Sequence, residues 1–370
     1  MDFELSKPQK MLQDSVKEFL TRHCPLERVR ELMETPTAHD SELWEGLTDQ
    51  GWTSLTLPEE HEGLELGAVE LAAVTEAMGA YCMPGPFISN LWAAELLAAT
   101  RNDALAGEIL PGVADGETLV TVALLEESGS WDPDDVELAI GGTEDDPNVS
   151  GTKLFVSDAE TADLLLVVGR LDGDLAVVSV PRESAGLTVE AMPAMDATRK
   201  LSKVVFDEVS GTAIVARGAQ AAKALHCATR LATVAVCAEL VGGMQWVLDT
   251  TVEYAKTREQ FGRVIGSFQA VQHHCADMLY HLESARSAAY YAAWAVSVDD
   301  PGADQAVSVA KAYCSDAARE VGNLGIQVHG GIGFTWEHDL HLFYKRAKAN
   351  ENLFGDASFH RDRIAAMVID

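Results

Sequence analysis

Arg258-Glu259-Gln260-Phe261-Gly262 and, further along, Gln327-Val328-His329-Gly330-Gly331-Ile332-Gly333 decide the reading of this chain. The first run closes a long segment with apolar residues at helical spacing. It predicts a helix end with Arg258 and Phe261 on one face. The second predicts another helix end, with Gln327 in its last turn and a glycine break behind it. Arg supplies a forked cation for a phosphate oxygen, and Phe a flat apolar wall. Gln supplies a donor and an acceptor for a heterocycle edge. Glycines let backbone approach a ligand closely. Together they suit a dinucleotide laid across helix ends, unlike the usual strand–turn–helix nucleotide site. The chain has no G-x-G-x-x-G after a strand, no G-x-x-x-x-G-K-[ST], no H-E-x-x-H and no G-x-S-x-G.

Working outward from those runs, the pattern is helical from about residue 213 to the end. Helices are predicted from Ala219 to Tyr254, Phe268 to Val298, Ala303 to about Gly325, His338 to Asn350, and from Ala357 onward, with Pro301 in a first-turn position. Residues 116–212 change character. Leu119–Leu125, Leu154–Val156, Leu164–Val168, Leu175–Val180 and Val204–Phe206 are short β-rich runs separated by turns, including the acidic turn Glu144-Asp145-Asp146-Pro147. They predict a small β-barrel or sandwich. Residues 1–115 are helical again, with stripes such as Met11, Leu12, Val16, Phe19 and Leu20, and a loop at Pro58–Gly63. The fold class is therefore α+β in three domains: an N-terminal helical domain (1–115), a middle β domain (116–212) and a C-terminal helical bundle (213–370).

Size and charge exclude some functions. At 370 residues the chain can bury a large core. Acidic residues number 58 against 27 basic, for a net charge of −31, which excludes nucleic acid as a partner. The six cysteines lack paired spacing and read as small core side chains of a cytoplasmic protein. The apolar stretch Leu231–Leu248 is broken by Glu239, Gln245 and Gly242-Gly243, so it reads as a buried helix and not a membrane span. His338 and His341 beside Glu337 have a spacing that could place ligands on one face, but their charged and aromatic neighbours favour a solvated helix face, and no metal is expected.

Domain order and local motifs together resemble the acyl-CoA dehydrogenase family over essentially the whole chain. The residues carrying the resemblance are Tyr254-Ala255-Lys256-Thr257-Arg258-Glu259-Gln260-Phe261-Gly262, then Ile265-Gly266-Ser267-Phe268-Gln269-Ala270-Val271-Gln272-His273, and Gln327 through Glu337. Thr56-Leu57-Pro58-Glu59-Glu60 resembles the family's Pro-Glu loop. The resemblance implies an oligomer that binds FAD and removes the α and β hydrogens of an acyl-CoA thioester, passing electrons to an electron-transfer flavoprotein. Arg258, Gln260 and Phe261 would hold the pyrophosphate and flank the cofactor. Gln269 would meet the adenine side. Gln327 through Gly330 and Gly331 would reach the adenosine half on a neighbouring subunit. Phe155 and Ser157, in place of the family's Trp-Ile-Thr strand, would keep an aromatic wall and a hydroxyl for the flavin.

This chain departs from the family where a carboxylate takes the α proton. Phe354 stands at one family position for that base, and Ala232 falls at the other. Glu239, seven residues along the same helix, is the candidate base on this chain. Burial in an apolar run would raise its pKa; the competing reading pairs it with an Arg on a neighbouring helix. Asp356 is a further candidate, with helix capping as its alternative. Near the flavin, Leu125-Glu126-Glu127-Ser128-Gly129-Ser130 replaces the family's Thr-Glu-Pro and Gly-Ser-Asp run. Three functions follow as expectations: one subunit of a heteromeric dehydrogenase whose sister chain supplies the base, a self-sufficient homotetramer with an atypical base, or a non-catalytic acyl-CoA-binding assembly subunit. The substrate would be a fatty or steroid acyl-CoA.

Overall fold

The computed structural model describes residues 5–369 apart from 101, 145 and 212; Asp145 of the acidic turn lies outside the described residues. Helices come first: α1 (Lys7–His23), α2 (Leu26–Met33), α3 (Ser41–Asp49), α4 (Ala68–Ala80), α5 (Phe87–Ala99) and α6 (Asp103–Ala114). Strands follow: β1 (Val120–Ala123), β2 (Ile140–Gly142), β3 (Pro147–Ser157), β4 (Leu164–Leu171), β5 (Asp174–Pro181), β6 (Leu187–Met192), β7 (Leu201–Ser210) and β8 (Ala213–Arg217). The chain closes with α7 (Ala219–Thr257), the two-residue strands β9 (Glu259–Gln260) and β10 (Arg263–Val264), α8 (Gln269–Ser297), α9 (Ala303–His329), α10 (Leu340–Asn352) and α11 (Ala357–Ile369).

Local chemistry sets several of these boundaries. Ser6 and Gln9 form a capping box at α1, with Pro8 in its first turn. Asp40 accepts the amides of Glu42 and Leu43 to start α3. Asp356 accepts the amide of Phe359 at 2.8 Å and so caps α11. Two boundaries differ from the sequence expectation. Residues 213–217, read as helix, pair instead with β5 as an edge strand, because the sheet offers Ala176–Ser179 as a ladder. Helix α9 starts at Ala303 with Gly302 as cap, so Pro301 lies before its first turn.

By contact density the chain divides into two compact units. One comprises Glu31–Leu66 and Pro84–Ala232. It holds two four-stranded sheets, ordered β1-β4-β5-β8 and β2-β3-β7-β6. Residues from both, among them Leu165, Val167, Val178, Val149, Val204 and Phe206, close on one another as a single apolar core, the sandwich arrangement. Lys153 is completely buried beneath it, donating to the Leu124 carbonyl at 2.8 Å and to Glu126 Oε1 at 2.5 Å. Burial lowers its pKa to about 8.

The other unit comprises Met1–Arg30, Gly67–Met83 and Thr233–Asp370. Helix α8 packs on α9, α9 on α10 and α11, and α4 on α1 and α8. Helices α4 and α7 meet backbone to backbone. A Cβ at Gly79 would stand 2.1 Å from the Glu239 carbonyl, and one at Gly242 only 1.9 Å from the Glu76 carbonyl. Only glycine permits that approach. Helix α7 is long and apolar enough to cross a membrane, but 78% of its most apolar window is buried within the protein. The six cysteines form no disulfide among the described residues, and Cys24, Cys82, Cys237 and Cys314 are buried.

Candidate active site

The end of α7 is not the helix face that the sequence suggests. The helix stops at Thr257, and Arg258 leads into a β-hairpin in which Arg263 pairs with Gln260 and Val264 with Glu259. The two-residue turn is Phe261-Gly262, at φ +54° and +77°. Positive φ at both central residues is the geometry of the tight hairpin turn that glycine favours. Arg258 and Phe261 therefore meet through the hairpin and not through helical spacing. Arg258 is exposed, its amide donating to the Tyr254 carbonyl at 2.8 Å and its own carbonyl accepting from Ile265 at 2.8 Å. Phe261 is 92% exposed and touches Phe268 edge-on, with ring centroids 6.1 Å apart. Gln260 bonds back to the Glu259 carbonyl, and Gln269 opens α8 at the surface.

Gln327 lies exposed in the last turn of α9, as the sequence indicates. Behind it the chain tightens into a 3-10 turn, Gly330–Phe334. Gly330 needs its glycine for backbone reasons, since φ is +63°. Gly331 has no positive φ, and a Cβ there would meet nothing in this chain within 4 Å. The two clusters are neighbours on one chain, because Tyr254 of α7 stacks on His329 of α9 at 4.3 Å between centroids. Arg258, Gln260, Gln269 and Gln327 are all exposed, and a forked cation with amide edges is chemistry that a dinucleotide's phosphates and adenosine can use.

Within the β-containing unit, Phe155 and Ser157 occupy the end of β3. Phe155 is 45% exposed at φ +53°, and the Ser157 carbonyl accepts from Thr121 Oγ1 at 2.7 Å. Both line one small pocket with Leu125, Trp92 and Trp131. The two indoles pack at 5.9 Å between centroids, leaving about 10 Å³ between these side chains. The sequence reading missed Trp131 as a component of this wall; its place one residue past Ser130 in a departing motif was the available signal.

Glu239 is buried at 3% exposure, and both its oxygens are engaged. Arg346 of α10 donates to Oε1 at 2.6 Å and Asn350 to Oε2 at 2.9 Å, while Arg346 also donates to the Met83 carbonyl at 3.1 Å. A carboxylate held by a buried guanidinium is stabilised in its charged form and is a poor proton acceptor. This geometry corrects the candidate base to the ion pair weighed against it. The other two base positions carry no acceptor: Ala232 is fully buried, and Phe354 is 2% exposed at φ +60°. The turn bearing Phe354 is held by buried donors. Lys311 donates to the carbonyls of Glu351 at 3.0 Å and Gly355 at 2.8 Å, and His360 donates to the Phe354 carbonyl at 3.0 Å. Asp356, as the α11 cap, is likewise engaged.

Glu95 of α5 is a carboxyl that the sequence reading did not single out. Desolvation raises its pKa to about 7, against a hydrogen bond from Thr56 Oγ1 at 2.5 Å that pulls the other way. Among the described residues, no group of three or more His, Cys, Asp or Glu gathers as a metal site would require. His338 and His341 instead make ring contacts, with His329 and Trp336 respectively.

Comparison with known proteins agrees with this layout. The family model described as acyl-CoA dehydrogenase, N-terminal domain, matches residues 6–117, and that for the C-terminal domain matches residues 217–369. The chain is 30% identical to acyl-CoA dehydrogenase IpdE2 of Mycolicibacterium smegmatis over 98% of its own length and 100% of the relative's. It is 31% identical to acyl-CoA dehydrogenase FadE27 of Mycobacterium tuberculosis, over 98% of each. Among solved structures, the ChsE4-ChsE5 complex from Mycobacterium tuberculosis superposes with a TM-score of 0.90 at 30% identity, covering 100% of this chain and 99% of that one. The Tcur3481-Tcur3483 steroid ACAD variant gives a TM-score of 0.87 at 28% identity, over 98% of each chain.

Proposed function

The chain belongs to the acyl-CoA dehydrogenase family, and we propose that it serves FAD-dependent α,β-dehydrogenation of an acyl-CoA thioester as one subunit of a heteromeric dehydrogenase. In this reading Arg258 pairs with the FAD pyrophosphate, and Phe261 covers the cofactor. Gln260, Gln269 and Gln327 offer amide edges to its polar atoms. The Gly330-Gly331 turn lets backbone amides approach. Bound FAD supplies the acceptor for the β hydride. The α proton needs a carboxylate within hydrogen-bond reach of the thioester.

One observation carries the heteromeric form. Both family base positions hold carbon side chains, Phe354 and Ala232, and Glu239 is locked to Arg346. A similar protein solved as a two-component complex, and another described as a steroid ACAD, make a bulky acyl-CoA the favoured substrate class. Electrons would leave to an electron-transfer flavoprotein, in the cytoplasm.

The test is spectroscopic. Purified alone, the chain is expected to be colourless. Co-expressed with a family member that carries the base, it is expected to form a yellow complex that an acyl-CoA bleaches. A yellow, substrate-bleached chain on its own overturns the heteromeric form. The second, self-sufficient reading needs another carboxyl on this chain to act as base, and Glu95 of α5, buried and hydrogen-bonded to Thr56, is one to test. Loss of turnover in Glu95→Gln would support it.

A further inference from the structure

The two clusters assigned to the dinucleotide come from helices far apart in sequence. Three rings hold their ends together. Tyr254, in the last turns of α7, lies nearly parallel to His329, the last residue of α9, with centroids 4.3 Å apart and planes 20° apart. His338 meets the same imidazole edge-on at 4.6 Å. Each ring sits close in the chain to a binding element. The Tyr254 carbonyl accepts the Arg258 amide at 2.8 Å, so Tyr254 opens the turn that carries Arg258. His329 directly precedes Gly330.

The ladder is itself fixed in place. His329 is 4% exposed, and its Nδ1 lies 2.8 Å from the Gly325 carbonyl. A carbonyl can only accept, so Nδ1 carries the proton. Burial lowers the pKa of this ring and keeps it neutral. His338 Nδ1 accepts the Leu340 amide at 3.2 Å. The adjacent Asp339 is paired with Arg30 Nε at 2.6 Å. The histidine-rich run after the glycine break, bland as a metal site, thus has a structural use.

We propose that the Tyr254–His329–His338 ladder is a positioning device that sets the separation between the Arg258 hairpin and the Gly330-Gly331 turn at which one dinucleotide bridges both. This rests on the FAD reading above. Aromatic pairs prefer defined offset-stacked or edge-to-face geometries, a directional preference that branched aliphatic side chains lack. An aliphatic replacement of similar volume would fill the space and still let the two helix ends drift apart.

The test uses the full chain in its complex with a co-expressed family member that carries the base, freed of flavin, titrated with FAD and read by quenching of flavin fluorescence. Tyr254→Leu and His329→Leu are expected to raise the FAD Kd at least tenfold. Tyr254→Phe and His329→Phe, which keep the rings, are expected to stay within about twofold. Circular dichroism and melting separate weakened binding from unfolding. Folded Leu variants that bind FAD as the parent does would overturn the proposal. If the Leu variants do not fold, His338→Ala decides, since His338 is only half-buried: a rise of about threefold sustains the ladder and an unchanged Kd overturns it. A parent assembly that binds no FAD removes the cofactor reading itself, and the ladder proposal with it.

Discussion

The pair Glu239–Arg346 separates structure from catalysis by a direct experiment. Both side chains are buried, at 3% and 4% exposure, and meet at 2.6 Å. Replacing Arg346 by Met takes the guanidinium away from the Glu239 carboxylate and removes the donor to the Met83 carbonyl. A buried charge stripped of its partner costs about 3–5 kcal/mol. Glu239→Gln strands the guanidinium instead and should cost about 3 kcal/mol, at the low end, because an amide oxygen still accepts one bond. The double change Glu239→Leu with Arg346→Met removes both charges and should lie within about 1 kcal/mol of the parent. Urea denaturation followed by tryptophan fluorescence ranks the three variants against the parent. The folded fraction of Glu239→Gln, assembled with its partner, should keep its turnover. If Glu239→Gln leaves the urea midpoint unmoved and abolishes turnover, the ion-pair reasoning is wrong and Glu239 is the base.

Other expectations are narrower. Phe261→Gly should stabilise the hairpin by up to about 1 kcal/mol, because glycine adopts positive φ without strain, yet weaken FAD retention by removing the exposed ring; paired melting and flavin-binding measurements show whether the signs oppose. Burial, and next the neighbouring Lys311, push His360 down to about 4 from 6.5. The folded state then binds fewer protons than the unfolded one across that range, so stability should fall as pH drops from 6.5 through 4, by up to about 3 kcal/mol, and His360→Gln should flatten that limb. Glu95 acts with the opposite sign: its pKa is raised from 4.5 to about 7, so its contribution is lost as pH rises through that window, and Glu95→Gln should remove the slope. Gly242→Ala should abolish soluble expression, since its Cβ would sit 1.9 Å from a backbone oxygen that no rotamer can move.

The long helices and the β region were legible because their periodicities are strong and their turns carry Gly, Asp and Pro. The edge strand at 213–217 was not, because an edge is specified by the ladder it joins and not by its own five residues. The hairpin after α7 was hidden for a related reason: Phe at positive φ is rare, so Phe261-Gly262 does not advertise a two-residue turn. In the site, the residue types of Arg258, Gln327 and Gly330-Gly331 could be read directly, whereas their adjacency depends on a stack between residues remote in sequence. Glu239 shows the same limit. Its burial followed from neighbouring apolar residues, but Arg346, the group that decides its chemistry, sits on a helix that no local pattern ties to α7.

The glycine-to-carbonyl crossing of α4 and α7 has a mechanical consequence. With main chain resting on main chain at Gly79 and Gly242, there are no intervening side chains to change rotamer and absorb a sliding motion. The Arg346 bridge from Glu239 to the Met83 carbonyl ties the same two segments a second time. Any rearrangement inside this unit must carry that helix pair as one rigid strut, so ligand-driven movement has to be taken up by the elements around it.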